Sequence, residues 1–273
     1  MHSATTTSGY MIRGGQAGKS RLDVLDLAYR TSTADLLRHL DIPRGARCVE
    51  VGCGGGHATR QLAAVVGQAG RVVGLDLDSA ILDLARRDTA AQGLDNVEFH
   101  LADAGKLPLE DGSQDVAYAR LLLTHLSEPL GAVSELARVV RPGGLVIVED
   151  MDWDGVFCHP RSEAFDRYRH IHAEIHRRRG GDPAIGPKLP GLLRRTGLVG
   201  VDLSLAHPAH LHGRAKTLHV LTLANIADPI LAEGLLDRDE IAALRRDLEA
   251  LAADPETIIA QPLIHQVWGR RAG

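Results

Sequence analysis

Aromatic side chains are scarce in this chain: tryptophan, tyrosine and phenylalanine make up 3% of its 273 residues. A surface built to stack nucleobases needs more of them. The formal net charge of −4 and a pI near 6.4 also supply no basic stripe for a polyanion, so no nucleic-acid partner is expected. Cysteine is equally thin. Cys48, Cys53 and Cys158 are too few and too scattered for a disulfide framework, and no CxxC occurs. No apolar run reaches the length of a membrane span, so no membrane partner is expected either. The opening Met1-His2-Ser3-Ala4-Thr5 lacks the charged region and apolar stretch of a signal peptide. A reducing cytoplasm is the simplest setting for such a protein.

What is present suits a globular α/β fold. Hydrophobic residues, at 44%, suffice for a sizeable core, and charged residues, at 24%, are ordinary. Leu22, Leu25, Leu36, Leu37 and Leu40 predict a helix from Ser20 to Leu40. Strands are expected at Ala46–Val51, Arg71–Asp76, Val97–Leu101, Val116–Arg120 and Leu145–Glu149, with helices at His57–Val66, Asp78–Gln92 and Pro129–Val140. The turn Arg141-Pro142-Gly143-Gly144 leads into the fifth strand. Such alternation means a parallel sheet covered on both faces, with ligands at the carboxyl ends of its strands. Beyond Asp150, helices are expected at Glu163–Arg179 and from Asp182 through Leu189–Arg195. A strand is expected at Val199–Leu205, then about fifty helical residues, then a last strand at Leu263–Arg270. The whole reads as an N-terminal helical lid over residues 1–45 and one domain over 46–273, with helical insertions near 151–198 and 207–258.

The most informative stretch is Glu50-Val51-Gly52-Cys53-Gly54-Gly55-Gly56, between the first strand and its helix. Glycines there allow positive φ and close approach of a nucleotide-like group to a helix N-terminus. The dinucleotide fingerprint would need a third glycine at 57, where His57 stands. Asp76 ends the second strand, where a carboxylate can accept hydrogen bonds from ribose hydroxyls. Asp103 follows the third strand and could accept from an adenine amino group. Tyr118-Ala119-Arg120-Leu121 closes the fourth.

In order and spacing these residues resemble the motif series of class I S-adenosylmethionine-dependent methyltransferases. Tyr10-Met11-Ile12-Arg13-Gly14-Gly15, the stretch from Arg179 to Gly186, and Val267-Trp268-Gly269-Arg270-Arg271 resemble a bacterial small-molecule subfamily, so the likeness runs over nearly the whole chain. It implies a Rossmann-like, doubly wound seven-stranded sheet whose last strand is antiparallel, with helical N-terminal and C-terminal cap additions. It implies S-adenosyl-L-methionine as cofactor: Glu50 near its amino-acid end, Gly52 and Gly54 against it, Asp76 on ribose and Asp103 on adenine. Cys53, Leu77, Ala104 and Arg120 complete the expected lining. Apart from the resemblance, Tyr10 and Arg13 to Gly15 either form a lid over the cofactor with the glycines as hinges or are a disordered tail.

The acceptor is expected to be a small molecule, a secondary metabolite being the first choice, over the ends of the fourth and fifth strands. His125 is the candidate base, or a histidine that braces its loop. Asp150 either orients the acceptor or caps the strand end. Asp152 and His159 follow it. On the helix beyond, Tyr168 and His172 share a face with Arg169 and His176, and that face either lines the acceptor pocket or is a solvated flank; the flank is the plainer expectation. His172 and His176 lack the Glu after the first His that a zinc-protease helix requires, so no metal is expected. Gly14 to Ser20 likewise misses the P-loop pattern at Arg13. An NAD(P)-dependent oxidoreductase and a methyltransferase-fold binding or regulatory protein without turnover stand as the alternatives. A homo-oligomer is compatible with an N-terminal helix free to exchange between subunits. Removal of residues 1–18 should weaken S-adenosylmethionine binding in a titration, and unchanged affinity would eliminate the lid.

Overall fold

A computed structural model describes residues 15–273; Tyr10 and Arg13 lie outside the described residues. Among the described residues, ten strands and nine α-helices follow one another. Helix α1 (Gly15–His39) precedes β1 (Arg47–Val51), α2 (His57–Val66), β2 (Arg71–Asp76), α3 (Ser79–Ala91) and β3 (Val97–Leu101). Then come β4 (Gln114–Arg120), α4 (Pro129–Val139), β5 (Val140–Asp152), β6 (Phe157–His159), α5 (Glu163–Arg178), α6 (Leu189–Arg195) and β7 (Leu198–Ala206). The chain closes with β8 (Ala209–His210), α7 (Leu218–Asn225), α8 (Ala227–Ala232), α9 (Arg238–Ala253), β9 (Ile258–Ala260) and β10 (Leu263–Arg271). The main sheet has the order β3-β2-β1-β4-β5-β10-β7. β10 runs antiparallel to both neighbours, while the pairs from β3 to β5 are parallel. This is the expected Rossmann-like seven-stranded sheet.

Strand residues alternate between two cores, as the period of two requires. Cys48, Val116, Tyr118, Leu145 and Ile147 face Leu36 and Leu37 of α1 and Leu62 of α2. Val49, Val51, Ala117, Ala119, Val146 and Val148 face Leu136 of α4 and Leu192 of α6. Both faces of the central strands are covered, so they read as continuous apolar runs. Helix boundaries follow local chemistry. The Asp78 side chain accepts from the amides of Ala80 and Ile81, capping α3, and Asp237 with Glu240 forms a capping box on α9.

Three expectations need correction. Asp182 opens a loop and not a helix, because its carboxylate folds back onto the amide of Ala184 (3.1 Å); α6 starts only at Leu189. The turn at Arg141–Gly144 is a bulge inside β5: Gln114 pairs with Val140, but Val116 pairs with Leu145. The long helical stretch is three helices bracketed by β8 and β9, which join β6 in a second, three-stranded sheet. Strands of two or three residues carry no readable alternation.

A third core lies beyond the carboxyl ends of β4 and β5, built by the insertions. It joins Tyr29 of α1 to Trp153, Phe165, Tyr168, Leu223, Ile226, Leu244 and Leu248. A buried polar bridge ties α1 to the sheet: Gln266 donates to Glu149 (2.7 Å) and to the Ser32 carbonyl (3.2 Å), and accepts from Ser204 (2.8 Å). The Tyr118 hydroxyl donates to the other oxygen of Glu149. Gln266→Ala would strand buried partners in three elements and should cost about 1–3 kcal/mol in urea denaturation. Leu203→Ala on the 43%-exposed edge strand should cost under about 0.5 kcal/mol. Equal costs would refute the bridge.

Candidate active site

Between β1 and α2, Gly52, Gly54 and Gly56 all take positive φ (73°, 48° and 71°). At Gly52 the close approach is as restrictive as the torsion, since a Cβ would lie 2.9 Å from Cδ1 of Leu122. The amides of Gly52 and Cys53 both donate to the carbonyl of Leu75, at 2.8 and 3.0 Å, pinning the turn to β2. Asp76, the next residue, accepts from the Gly54 amide (2.8 Å) and the Asp78 amide (3.0 Å). Burial raises its pKa, against the pull of those amides. The same turn buries Cys53, whose thiol is pushed up by desolvation and packs as a small apolar group with Leu82, Ala85 and Phe99.

Glu50 is buried behind the turn and accepts from the Thr59 hydroxyl. Burial lifts its pKa to about 7, partly offset by Thr59, Arg120 and Arg60. Arg120, at the end of β4, donates to Thr33 (3.2 Å) and lies 3.6 Å from Asp26, both on α1. Burial disfavours its charge, but Tyr118, Glu149, Glu50 and Asp26 outweigh that and hold it above its ordinary value. Past the carboxyl ends of β2 and β3, Leu77 (62% exposed) and Leu101 (59%) leave apolar surface uncovered beside Asp103. Asp103 itself is exposed and accepts from the Gly105 amide (2.8 Å), while Ala104 is buried. Carboxylates at 50, 76 and 103, a guanidinium at 120 and two exposed leucines are groups that could hold a nucleoside carrying an amino acid.

Helix α1 covers this turn, and sequence reasoning did not see how. Leu22 lies over Gly54, its Cδ1 3.2 Å from where a Cβ would be. Asp23 meets Nε2 of His57 at 2.9 Å, and Lys19 bridges Asp23 (2.8 Å) to Asp88 of α3 (2.9 Å). His57, which breaks the dinucleotide pattern, thus anchors the covering helix. Its sequence signal was there, read only as an absent glycine.

On the acceptor side, Leu121 follows β4 with a φ of +53°, and its amide donates to the Glu149 carbonyl. The loop then runs to His125. Asp150 is fully buried and accepts from the amides of Thr124 (3.1 Å) and Met151 (2.8 Å). Its oxygens hold the loop, and burial lifts its pKa to about 7 against those backbone donors. His125 stacks on His176, ring centroids 5.0 Å apart. The Nδ1 of His176 lies 3.3 Å from the His172 carbonyl, and His172 stacks on Trp153 at 3.7 Å. Tyr168 and His219 complete the group, with the hydroxyl 3.4 Å from Nδ1. The face of α5 expected as a solvated flank is therefore buried: Phe165, Tyr168, His172 and His176 all point into the third core. The misreading has a plain cause, since histidine scores as polar while burial keeps it neutral. His176 is pushed down to about 4 and His219 to about 3, chiefly by desolvation. Asp152 caps a short 3₁₀ turn through the Asp154 amide, and His159 is exposed on β6, opposite Ile258. Arg21, Tyr29, Trp153 and His219 join the group without any signal readable in sequence.

No helix among the described residues is long and apolar enough to cross a membrane. Residues 49–148 match the methyltransferase domain family. Methyltransferase GfsG of Streptomyces halstedii is 35% identical over 133 residues, 48% of this chain and 47% of that protein. The demethylmenaquinone methyltransferase of Bacillus cereus is 34% identical over 120 residues, 44% of this chain and 49% of that protein. The chain spans less than half the length of the curated relatives it matches. Among solved structures, the YcgJ protein of Bacillus subtilis superposes with a TM-score of 0.58 at 16% identity, covering 89% of this chain and 99% of that one. A SAM-dependent methyltransferase from Aquifex aeolicus gives 0.50 at 21% identity, covering 67% and 89%.

Asp150 yields a signed pH test. Its folded pKa near 7 stands above the ordinary 3.8, so its stabilising contribution is complete below pH 3.8 and is lost as pH rises through 7. Asp150→Asn deletes that dependence. Wild-type stability relative to the variant should fall by roughly 2–3 kcal/mol between pH 5 and pH 7, at up to about 1.4 kcal/mol per unit, and level off above. A difference independent of pH would show that the carboxyl is not buried.

Proposed function

We propose that this chain, which carries a class I methyltransferase domain, transfers the methyl group of S-adenosylmethionine to a small-molecule acceptor. The observation that carries the reading is the left-handed glycine turn locked to Asp76, inside the segment that matches the methyltransferase domain family. The cofactor supplies an electrophilic sulfonium methyl. What the protein must add is position and dryness.

Each part of the site has a fitting role. Asp76 meets a ribose hydroxyl with the capacity that the Gly54, Asp78 and Leu77 amides leave, since a carboxylate accepts about four hydrogen bonds and three are used. Leu77 and Leu101 cover the adenine faces, with Asp103 at its rim. Arg120 takes the amino-acid carboxylate, and Glu50 behind it takes the ammonium. Cys53, Gly52 and Gly54 allow the approach, and Leu22 of α1 seals it. Asp150 acts at one remove, holding the Leu122–Thr124 loop that carries His125 towards the acceptor. Tyr10 and Arg13 fit the role of further lid residues, as does α1 itself. A secondary metabolite suits a methyltransferase with a cap of its own, and a Streptomyces relative supports that choice.

His57 in place of a third glycine speaks against NAD(P), and its ring is engaged with Asp23 of α1. A binding protein without turnover differs in one measurable respect, release of S-adenosylhomocysteine. The direct test is calorimetric titration with S-adenosylmethionine and with NADH. Wild type should bind only the former, and Asp76→Ala should raise its Kd about fivefold or more through loss of charge-assisted hydrogen bonds. A wild-type Kd in that variant would overturn the ribose assignment.

A further inference from the structure

The net charge of −4 conceals how charge is divided between the two ends of the main sheet. The carboxyl ends of the parallel strands, and the segments just after them, carry Glu50, Asp76, Asp103, Asp150 and Asp152. The amino ends carry arginine. β1 opens on Arg47 and β2 on Arg71, and the two are direct partners in the ladder. β10 runs the other way and reaches the same edge at Arg270, opposite Leu145 of β5 and Val199 of β7. Arg194 and Arg195 end α6 just before β7, and Arg44 precedes β1 with its guanidinium against Gly67 at the end of α2. All six arginines are exposed, and none has a carboxylate within ion-pair distance among the described residues. The ion pairs at this end belong to two others, Arg141 with Asp115 (2.5 Å) and Arg138 with Asp111 (2.6 Å) and Glu135 (2.7 Å).

Folding alone does not account for this row. Like charges set directly opposite one another on neighbouring strands oppose the pairing, so Arg47 beside Arg71 weakens the ladder it belongs to. A helix C-terminus favours a nearby cation, which gives Arg44, Arg194 and Arg195 a local reason. The strand arginines have none. Arg71 and Arg270 reach single backbone carbonyls, of Asp95 (3.3 Å) and Gly143 (3.0 Å), and most of the five donors on each guanidinium stay open. From β2 to β7 the edge crosses six strands, so the row spans about 24 Å at about 4.8 Å per strand.

We propose that this edge docks an acidic protein, whose carboxylate-rich face or segment lies along the row from Arg71 to Arg195. Docking here is independent of the methyltransferase reading, because the row stands at the opposite ends of the strands from Asp76. Three polyanions suit a row of arginines on charge alone, and geometry separates them. The row already seats one carboxylate: Asp115 of β4 accepts from the Arg47 amide (2.8 Å) and from Nε of Arg141 (2.5 Å). An acidic side chain from outside finds the same kind of donor on either side, in forks that match a carboxylate with two parallel bonds. Sheet twist of roughly 20–25° per strand bends the edge into a curve, which a polypeptide can follow and a flat bilayer cannot. A nucleic acid gains from rings on which to stack, and Trp268 of β10 is partly buried with its ring edge-on to His39.

The probe is fluorescently labelled poly-L-glutamate, read by anisotropy with the full-length protein, with single-stranded oligothymidylate and phosphatidylglycerol vesicles as the rival polyanions. Wild type should bind poly-L-glutamate more tightly than either rival at about 50 mM sodium chloride, and lose about tenfold in affinity by about 200 mM. Arg47→Gln/Arg71→Gln should lose about tenfold at the lower salt. Arg245→Gln/Arg246→Gln, which removes the same charge from the exposed face of α9, should lose less than about twofold. The first variant should also be no less stable than wild type in urea, since it relieves a repulsion; a loss of stability, or a failure to fold, would show that these arginines serve the fold and would overturn the proposal. Tighter binding of oligothymidylate or of vesicles, no binding of poly-L-glutamate, equal losses in the two variants, or self-association of the protein at low salt in analytical ultracentrifugation overturns it as well. S-adenosylmethionine titration should return the wild-type Kd in both variants. No S-adenosylmethionine binding by wild type sinks the methyltransferase reading and leaves the docking edge standing.

Discussion

Three backbone hydrogen bonds shape the mouth of this protein. The amides of Gly52 and Cys53 on the Leu75 carbonyl, and that of Gly54 on Asp76, lash the first turn of the sheet to the end of the second strand. They go with left-handed torsions at the glycines, and α2 starts directly after them. Everything else is arranged around that knot. Phe99 backs it from β3, Leu122 closes on it from the loop after β4, and Leu22 closes on it from α1.

The cap follows a different logic from the sheet. The two sheet cores are mostly aliphatic, filled chiefly by Val, Leu, Ile and Ala, with Cys48 and Tyr118 the exceptions. The cap core mixes aliphatic side chains with Tyr29, Trp153, Phe165 and Tyr168, and buried histidines kept neutral by desolvation pack with it. A sheet supplies rigidity at low chemical content, and insertions at the ends of its strands supply the chemistry.

Much of the sheet was legible in the sequence. Helix α2 and strands β2 and β3 end where the apolar runs and the Gly and Asp punctuation said, and β1 and β4 differ by one or two residues. Those elements are decided locally, by a cap such as Asp78 or a breaker such as Gly93. The residues around the glycine turn could be named for the same reason, since motif spacing is a one-dimensional property. The cap was illegible because its chemistry is assembled from distant segments. Arg21 meets Thr222 across 201 positions, and Tyr29 meets the Pro262 carbonyl across 233. His172 and His176 were visible as a pair at helical spacing, but nothing in a polar run says which side of the helix will be dry. Asp182 went astray for a local reason, a side chain that bonds its own backbone more readily than a helix can use it.

Three consecutive residues of α1 address three different neighbours: Arg21 the cap core, Leu22 the glycine turn, Asp23 the start of α2. A rigid helix cannot shift one of them and leave the others in place. The glycine turn and the cap core are therefore held in register by one helix. Were ligands bound on both sides of that helix, linkage would make their coupling symmetric: whatever the first did to the affinity of the second, the second would do in equal measure to the first.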